Sequence, residues 1–226
     1  EIFWLAKKKV MPFLNETITQ EINQKFFLPS NLQNLKLIPA TTIKEQEKGL
    51  SGLLELKDFD GMIFLFDKKE KKVFWNKDTY LDLIIFWISD QKIVGMDYLP
   101  SIKKTKEIKM VSSPEPIDTV VEYVIKESDD FFIFSPLKNF TLPLKIEGLA
   151  RNDWFSEGKM IFSILDENKN IISRKRATVK EKYEDFFLFE AEINDLQLPM
   201  KFLKFENPQK TKEKIFKISL LLENPS

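Results

Sequence analysis

The stretch FWNKDTYLD, residues 74–82, gathers side chains that could bind a ligand. Trp75 offers a flat ring for stacking, and Lys77 offers a positive charge. Asp78 and Asp82 add two carboxylates, which would lie on the same side of a strand. Two carboxylates on one side suit a bound cation, a sugar hydroxyl or an acid–base pair. The sequence therefore predicts a binding site at Trp75, Lys77, Asp78 and Asp82.

A purely structural interpretation of the same stretch stays open. In that interpretation Trp75 fills the core, and Asp82 accepts hydrogen bonds from backbone amides where a strand begins. Neither residue then needs a ligand.

The chain contains no histidine and no cysteine. Without imidazole there is no Ser-His-Asp or Cys-His machinery, and without both side chains there is no ordinary zinc site. The chemistry that remains is that of carboxylates, lysines and tyrosines. We expect no metal, no cofactor and no catalytic residues.

Three further motifs resemble reactive sites but lack necessary parts. Asp58 and Asp60 precede a glycine as in a calcium-binding loop, but the further ligands and the closing glutamate are missing, which favours a turn. The stretch GLSG, residues 49–52, is too short for a phosphate-binding loop. Ser156 stands beside Glu157, but no base is present to activate its hydroxyl.

The charge balance argues against nucleic acid as a partner. Lys and Arg together number 35, as do Asp and Glu, so the chain has no excess of positive charge to neutralise phosphates. Charges of both signs mix in residues 67–78, DKKEKKVFWNKD, which indicates a solvated hairpin tip.

No apolar run reaches the roughly 18 residues that cross a membrane. Because the chain begins with Glu1, a signal peptide or anchor upstream is left open, and we expect membrane contact only through such an anchor.

Short runs rich in Ile, Phe and Trp predict β-strands along most of the chain. In the first half they cover residues 61–66, 81–88 and 92–99, and the last two are expected to form a hairpin. In the second half the predicted strands are PLKIEGLA, KMIFSIL, IISRKRATV, DFFLFEAEI and KIFKISLLL. Regular short strands at this spacing are typical of sandwiches and barrels. The sequence therefore predicts an all-β protein.

One short helix is predicted at residues 43–48. Thr42 and Glu45 have the spacing of a capping box, in which each side chain satisfies a backbone amide of the other residue. Gly49 stands where a left-handed C-terminal cap belongs.

A polar stretch at residues 126–132, KESDDFF, separates the two halves of the chain. We predict an N-terminal arm at 1–24, a β domain at 25–127 and a second β domain at 128–226. The arm is either an added strand or a segment that packs on a neighbour.

The first half resembles the family of domains of unknown function numbered 192 (DUF192), over about residues 26–127. The resemblance depends on motifs that occur in the order and spacing of that family: Gly49-Leu50, Gly61-Met62, Phe74-Trp75, Lys77, Thr79 and Leu81-Asp82. Asn76 and Asp78 depart from the usual Met and Asn. The resemblance implies a compact β-sandwich or barrel with little helix and brings no established reaction.

The second half, residues 131–226, resembles the second type of Gmad domain. Its motifs are Ser135-Pro136-Leu137, Gly148-Leu149-Ala150, Trp154-Phe155-Ser156-Glu157, Tyr183-Glu184-Asp185-Phe186 and Glu223-Asn224-Pro225-Ser226, with Ser156 and Tyr183 replacing the usual Phe and Trp. The resemblance implies an immunoglobulin-like β-sandwich of the kind associated with bacterial spore-germination and envelope proteins. The pair Trp154-Phe155 is then expected to close one end of the sandwich. Phe187 is left either as an exposed contact or as a residue buried by the arm.

We therefore expect a non-enzymatic binding or assembly protein of the bacterial cell envelope or exterior. Its partner would be another envelope protein or a glycan, because immunoglobulin-like modules commonly present sheets and loops to partners. One alternative is a carboxylate-dependent hydrolase that acts on envelope glycans through Asp78 and Asp82. Another is a structural subunit of a larger surface assembly, in which residues 1–24 pair with the sheet edge of another chain.

Overall fold

The computed structural model describes residues 35–134, 143–194, 200–207 and 212–217, with the backbone of two short strands near them. The predicted arm at 1–24, the Ser-Pro motif at 135–137 and the Asn-Pro-Ser ending lie outside the described residues. The described residues form two compact units, one ending at Asp129 and the other beginning at Asp130. The predicted domains 25–127 and 128–226 include undescribed residues, and their limits stay predictions.

The structure is mostly β, with 57% of the described residues in strands and 7% in helix, which confirms the predicted all-β class. Among the described residues, no helix is long and apolar enough to cross a membrane.

The first unit is built around a five-stranded sheet with the strand order β1-β2-β7-β4-β5. β1 and β2 are parallel, and the other neighbours are antiparallel. β3 and β6 form a separate two-stranded ribbon. The elements are β1 (Leu37–Ala40), α1 (Ile43–Lys48), β2 (Gly61–Glu70), β3 (Val73–Trp75), β4 (Leu83–Ser89), β5 (Lys92–Leu99), β6 (Met110–Ser112) and β7 (Ile117–Val124), with a 3₁₀ turn at Ile102–Lys104.

Helix α1 has the predicted ends. The Glu45 N–H donates to Thr42 Oγ1 (3.2 Å), and the Thr42 N–H donates to Glu45 Oε2 (2.8 Å). Hydrogen bonds from the backbone amides of Thr42 and Thr41 lower the pKa of Glu45 to about 2. Gly49 follows the helix at a φ of 50°, and its N–H donates to Glu45 O (2.9 Å). The capping box predicted for residues 42–45 is confirmed.

The β4–β5 hairpin is also confirmed. Its register runs from Leu83 opposite Leu99 to Ser89 opposite Lys92. The two residues of the turn, Asp90 and Gln91, both have positive φ (49° and 62°), which matches the twist of the strands they join. Residues 67–71 are exposed, as predicted. However, β3 pairs with β6 and not with β2, so the predicted hairpin at 67–78 is wrong.

Residues on both faces of the first unit's sheet are buried, with Ile84, Phe86 and Val121 on one face and a core cluster on the other. Alternate residues of the central strands point into it, including Phe64, Ile85, Trp87 and Val120, which are at most 1% exposed. β2 and β7 approach closely at Gly61, where an added Cβ would lie 1.9 Å from the carbonyl oxygen of Glu122. The Gly-Met motif therefore has a steric basis, because any side chain at this glycine would separate the two strands.

The second unit contains a seven-stranded sheet with the order β15-β14-β11-β12-β13-β10-β8, and a parallel pair formed by β9 and β16. Its strands are β8 (Phe131–Ile133), β9 (Lys138–Phe140), β10 (Leu144–Arg151), β11 (Met160–Leu165), β12 (Ile171–Lys182), β13 (Phe186–Ile193), β14 (Phe202–Asn207), β15 (Lys212–Lys217) and β16 (Ser219–Leu220), with a 3₁₀ turn at Asn152–Trp154.

The long strand β12 belongs to two halves of this sheet. Its first part, up to Ala177, pairs with β11, and its second part, from Thr178, pairs with β13. The halves β8-β10-β13-β12 and β12-β11-β14-β15 enclose one core, to which both contribute. In chain order these halves correspond to the ABED and CFG sheets of an immunoglobulin sandwich, with β12 as the strand common to both.

The aromatic pair Trp154-Phe155 is part of this core, as predicted. Trp154 is 1% exposed, and its ring centroid lies 4.7 Å from that of Phe131. Its Nε1–H donates to Asp130 Oδ2 (3.2 Å). Phe155 contacts Phe187 with 5.0 Å between ring centroids, so Phe187 packs against the core and is not an exposed contact. The sequence did not decide whether Phe187 is exposed or buried, because it did not show which face of β13 is covered.

Replacing Trp154 by alanine is expected to lower the free energy of unfolding of the second unit by about 3–5 kcal/mol, because a buried ring is removed from a packed core. Urea denaturation followed by circular dichroism measures the change. Ile171→Ala, at a position that is 50% exposed, is the matched control and should change stability by less than about 0.5 kcal/mol. An equally small effect of Trp154→Ala would contradict the burial of the ring.

Candidate functional site

A pocket of about 470 Å³ lies in the first unit, between α1 with the turn after it and β3 with the turn after it. Trp75, Lys77 and Asp78 line this pocket. The structure thus brings together three of the four predicted site residues. Asp82 is not among the lining residues.

The ribbon of β3 and β6 places Trp75 at the pocket. Phe74 points inward and makes edge contacts with the rings of Phe64 and Trp87, at centroid distances of 5.0 and 5.7 Å. Its neighbour Trp75 therefore points outward, opposite Met110, and is 53% exposed. The interpretation in which Trp75 fills the core is wrong, since Trp87 is the tryptophan buried there.

The chain does not continue as a strand after Trp75. The Asn76 side chain is fully buried: its Oδ1 accepts the Lys109 N–H (2.8 Å), and its Nδ2 donates to Pro100 O (2.9 Å). Asp78 then adopts a positive φ of 55°. The prediction that Asp78 and Asp82 share one side of a strand is therefore wrong, because these long-range hydrogen bonds hold the segment in a turn.

Asp82 is a structural anchor. Its Oδ1 accepts hydrogen bonds from Tyr98 Oη and the Ser101 N–H (both 2.9 Å), and its Oδ2 accepts one from Lys104 Nζ (2.8 Å). The interpretation in which Asp82 accepts a backbone amide is confirmed. Because Asp78 is exposed at the pocket and Asp82 is engaged elsewhere, the predicted carboxylate pair does not form.

The sequence analysis missed Glu122, which lines the pocket from β7. Glu122 is 6% exposed and lies opposite Met62 of β2 and Ile85 of β4. The Leu50 N–H donates a hydrogen bond to its carboxyl group, whereas Oε2 has no hydrogen-bond partner among the described residues. Burial raises the pKa of Glu122 to about 8, against the opposite effect of the Leu50 amide. The carboxyl is therefore mostly protonated at neutral pH.

A sequence signal for Glu122 did exist. In the strand VVEYV it alternates with Val120 and Val124, which pack in or against the core. A glutamate in that register must face the core, where charged residues rarely occur unless they are paired.

The end of α1 lies close to this carboxyl. A Cβ added to Gly49 would lie 3.5 Å from the Phe64 ring and 3.6 Å from Glu122 Oε2. Leu50 follows directly, and its amide reaches the carboxyl. The turn that ends α1 therefore forms one wall of the pocket, and its Leu50 amide is the hydrogen-bond donor to Glu122.

The motifs interpreted as turns are turns. Asp58 has a φ of 63°, and Asp60 accepts the Lys36 N–H (2.7 Å). Ser156 and Lys159 are bridged by two backbone hydrogen bonds of 2.9 Å each. Within the part of the chain that the structure describes, no group of three Asp or Glu side chains is placed to hold a metal ion.

Comparison with protein families matches residues 27–130 to DUF192, which is described as an uncharacterized family. The resemblance of the first half to this family, which its motifs predicted, is thus confirmed over residues 27–130. The Gmad assignment of the second half stays a prediction.

Two solved structures are similar to part of the chain. A protein from Sinorhizobium meliloti 1021, with the provisional description of a transcription regulator, is 26% identical over 40% of this chain and 68% of its own, with a TM-score of 0.35. A protein of unknown function from Novosphingobium aromaticivorans DSM 12444 is 26% identical over 40% of this chain and 63% of its own, with a TM-score of 0.36. No curated protein matches the chain.

Glu122 makes the stability of the first unit depend on pH. Because its pKa is raised from 4.5 to about 8 on folding, the stabilising effect of its proton is complete below pH 4.5 and is lost as the pH rises through 8. The Glu122→Gln variant has no ionisable group at this position, so it does not lose this stability as the pH rises. Its free energy of unfolding, relative to wild type, should rise by about 3–5 kcal/mol between pH 4.5 and 8.5.

Denaturant melts of both proteins across this pH range measure the difference. Glu47→Gln, at an exposed position on the same pocket, is the matched control and should show no comparable rise. A constant difference between Glu122→Gln and wild type would contradict the burial of an unpaired carboxyl.

Asp82→Ala is expected to lower the free energy of unfolding by about 1–3 kcal/mol, because it leaves three hydrogen-bond donors without their acceptor. Asp78→Asn should change it by less than about 0.5 kcal/mol, since asparagine tolerates a positive φ and the side chain is exposed. Thermal or denaturant melts compare the two variants. Equal effects would refute the separate roles of these carboxylates.

Proposed function

We propose that this protein is a non-enzymatic binding protein of the bacterial cell envelope or exterior, and that the pocket of its DUF192 domain binds a glycan. The observation that carries this proposal is the combination of Glu122 and Trp75 in one pocket. A buried carboxyl group lines the same pocket as an exposed indole ring.

The pocket suits the two surfaces of a sugar. The apolar C–H face of a sugar ring can stack on Trp75, while sugar oxygens and hydroxyls exchange hydrogen bonds with Glu122 and Asp78. The volume of about 470 Å³ lies within the range of small-molecule sites, which combine an apolar lining with a few polar groups. Phe64 and Phe74 supply the apolar part.

The envelope location is supported by the second half of the chain. Its strand order is that of an immunoglobulin-like sandwich. We assign it to the second type of Gmad domain on its Gly148-Leu149-Ala150 and Trp154-Phe155-Ser156-Glu157 motifs, and that family is associated with bacterial envelope proteins. Recovery of the full-length protein from the cytoplasm of its source organism would contradict this location.

A hydrolase acting on envelope glycans is the second candidate, and one observation favours it. Asp82 is engaged elsewhere, but Glu122 and Asp78 line the same pocket in different environments. A carboxyl kept protonated by burial, together with an exposed carboxylate, resembles the acid–base pairs of hydrolases. Turnover of a glycan by wild type that is lost in Glu122→Gln would replace the binding proposal by this one.

The third alternative, a subunit of a larger assembly, depends on residues 1–24, which lie outside the described residues. A solution-mass measurement of the full chain distinguishes it from a monomeric binding protein.

Trp75→Ala is expected to weaken glycan binding by about tenfold or more, because it removes the stacking surface without disturbing the core. A panel of bacterial envelope glycans, followed by calorimetry on those that bind, measures the effect. Leu54→Ala is the control, since Leu54 is 69% exposed and does not line the pocket. The proposal fails if no glycan binds at millimolar concentration or if both variants bind like wild type.

A further inference from the structure

The outward face of the β3–β6 ribbon combines exposed apolar side chains with a border of lysines. We infer that this face binds the surface of a bilayer that contains anionic lipids, as a peripheral membrane contact. The contact is made by the first unit itself, in addition to any anchor upstream of Glu1. It goes beyond the proposed glycan binding and does not depend on it.

The geometry of the ribbon defines this face. Phe74 and Val111 lie opposite each other and pack against the core of the first unit, so their neighbours on both strands point outward. Trp75 and Met110 are one such pair. Ile108 precedes Met110 by two residues, the spacing that stays on one side of an extended chain. The apolar side chains of this ribbon face are Val73, Trp75, Ile108 and Met110, which are 50%, 53%, 47% and 66% exposed.

The clustering of these side chains indicates a contact surface. Among the described residues, nine large apolar side chains are at least 40% exposed, and four of them belong to the ribbon face. Single exposed apolar residues are ordinary on protein surfaces, whereas a contiguous patch marks contact with another protein or with a membrane. The surrounding charges decide between these two partners.

The segments that carry the ribbon are strongly basic. Residues 67–78 contain five lysines and three carboxylates, and residues 102–110 contain four lysines and one carboxylate. This local excess of positive charge occurs in a chain whose net charge is zero. Each lysine held near anionic headgroups raises the affinity for a membrane by about fivefold. An anionic bilayer offers a layer of negative charge beside an apolar phase, and it therefore complements the ribbon face in both respects.

Lysines of both segments are available to headgroups. Lys71 and Lys77 of the first segment, and Lys103 and Lys106 of the second, are exposed and form no ion pair with a described carboxylate. Such a lysine can lay its methylene chain on apolar surface and hold its ammonium group among the headgroups. Trp75 suits the same depth, because tryptophan is enriched at the boundary between lipid and water.

The test is cosedimentation of the full chain with large unilamellar vesicles at physiological salt. One set of vesicles is pure phosphatidylcholine, and the other contains about 30% phosphatidylglycerol, which supplies the anionic surface. We expect the anionic vesicles to bind about tenfold or more tightly than the neutral ones. The difference should shrink at high salt, because counter-ions screen the lysines. Equal binding to both sets, or no binding to either, overturns the inference and leaves glycan binding in place.

Two double variants separate the apolar part of the surface from the basic part. Ile108→Ser with Met110→Ser should weaken binding to the anionic vesicles by about tenfold or more, because it removes apolar area that enters the interface. Lys71→Gln with Lys106→Gln should weaken it by about 20-fold. All four side chains are exposed and lie outside the pocket, so the fold and the proposed glycan binding should stay unchanged. Wild-type affinity in either double variant overturns the inference.

The matched controls lie in the second unit. Ile171→Ser removes an apolar side chain of similar exposure, and Lys159→Gln with Lys169→Gln removes the same charge at exposed positions. These variants should bind the vesicles like wild type. A loss equal to that of the ribbon variants would assign the binding to the total charge or apolar area of the chain and overturn the inference.

The fluorescence of Trp75 reports the contact directly. Vesicles with brominated acyl chains should quench the tryptophan fluorescence of the bound protein. Trp75→Phe keeps an apolar ring, so it should still bind but lose most of this quenching, since Trp87 and Trp154 are buried. Both proteins carry Trp4→Phe, because Trp4 lies outside the described residues. Undiminished quenching in Trp75→Phe overturns the inference.

A second copy of the chain is the other occupant that the solution mass would reveal. A concentration-dependent dimer of wild type that Ile108→Ser with Met110→Ser abolishes would assign the ribbon face to self-association and overturn the membrane contact.

Discussion

The hydrogen bond from the Leu50 amide to the Glu122 carboxyl connects the elements that form the pocket. A carboxyl buried among apolar side chains is costly unless a donor reaches it. The donor is available because α1 stops at Gly49, whose φ of 50° turns the chain toward β7. Glu122 in turn lies where β2 and β7 approach closely, which the absence of a side chain at Gly61 permits. The Gly49-Leu50 and Gly61-Met62 motifs therefore both help to position the buried carboxyl of Glu122.

The burial of Glu122 also indicates that the pocket has a role beyond stabilising the fold. Oε2 of Glu122 is buried without a hydrogen-bond partner among the described residues, so the domain retains a group whose ionisation costs stability. A glutamine or an apolar residue at this position would avoid that cost. The edge of the pocket also keeps a residue that stability does not require. The β3–β6 ribbon buries Phe74 and leaves the large ring of Trp75 in solvent.

The second unit is stabilised by a different arrangement. β12 passes from one half of the sheet to the other, so a single strand fixes the relative position of both halves. Phe131 lies within the resulting core and contacts the rings of Trp154, Phe189 and Phe205. The motif that contains Trp154 therefore belongs to the core, and the charged groups beside it, Asp130 and Lys214, form an ion pair.

The sequence by itself determined the features that depend on neighbouring residues. The capping box of α1 and the β4–β5 hairpin involve residues a few positions apart, and alternation of apolar side chains identifies strands without knowledge of their partners. The tertiary structure decided the site. Asn76 is held by Pro100, Thr105 and Lys109, which lie 24, 29 and 33 residues away, and these bonds replace the expected strand by a turn. Glu122 joins the pocket across 72 residues from Leu50, a distance at which a local pattern carries no information. The residues of a binding site are selected by contacts between distant segments, and such contacts form only when the whole domain folds.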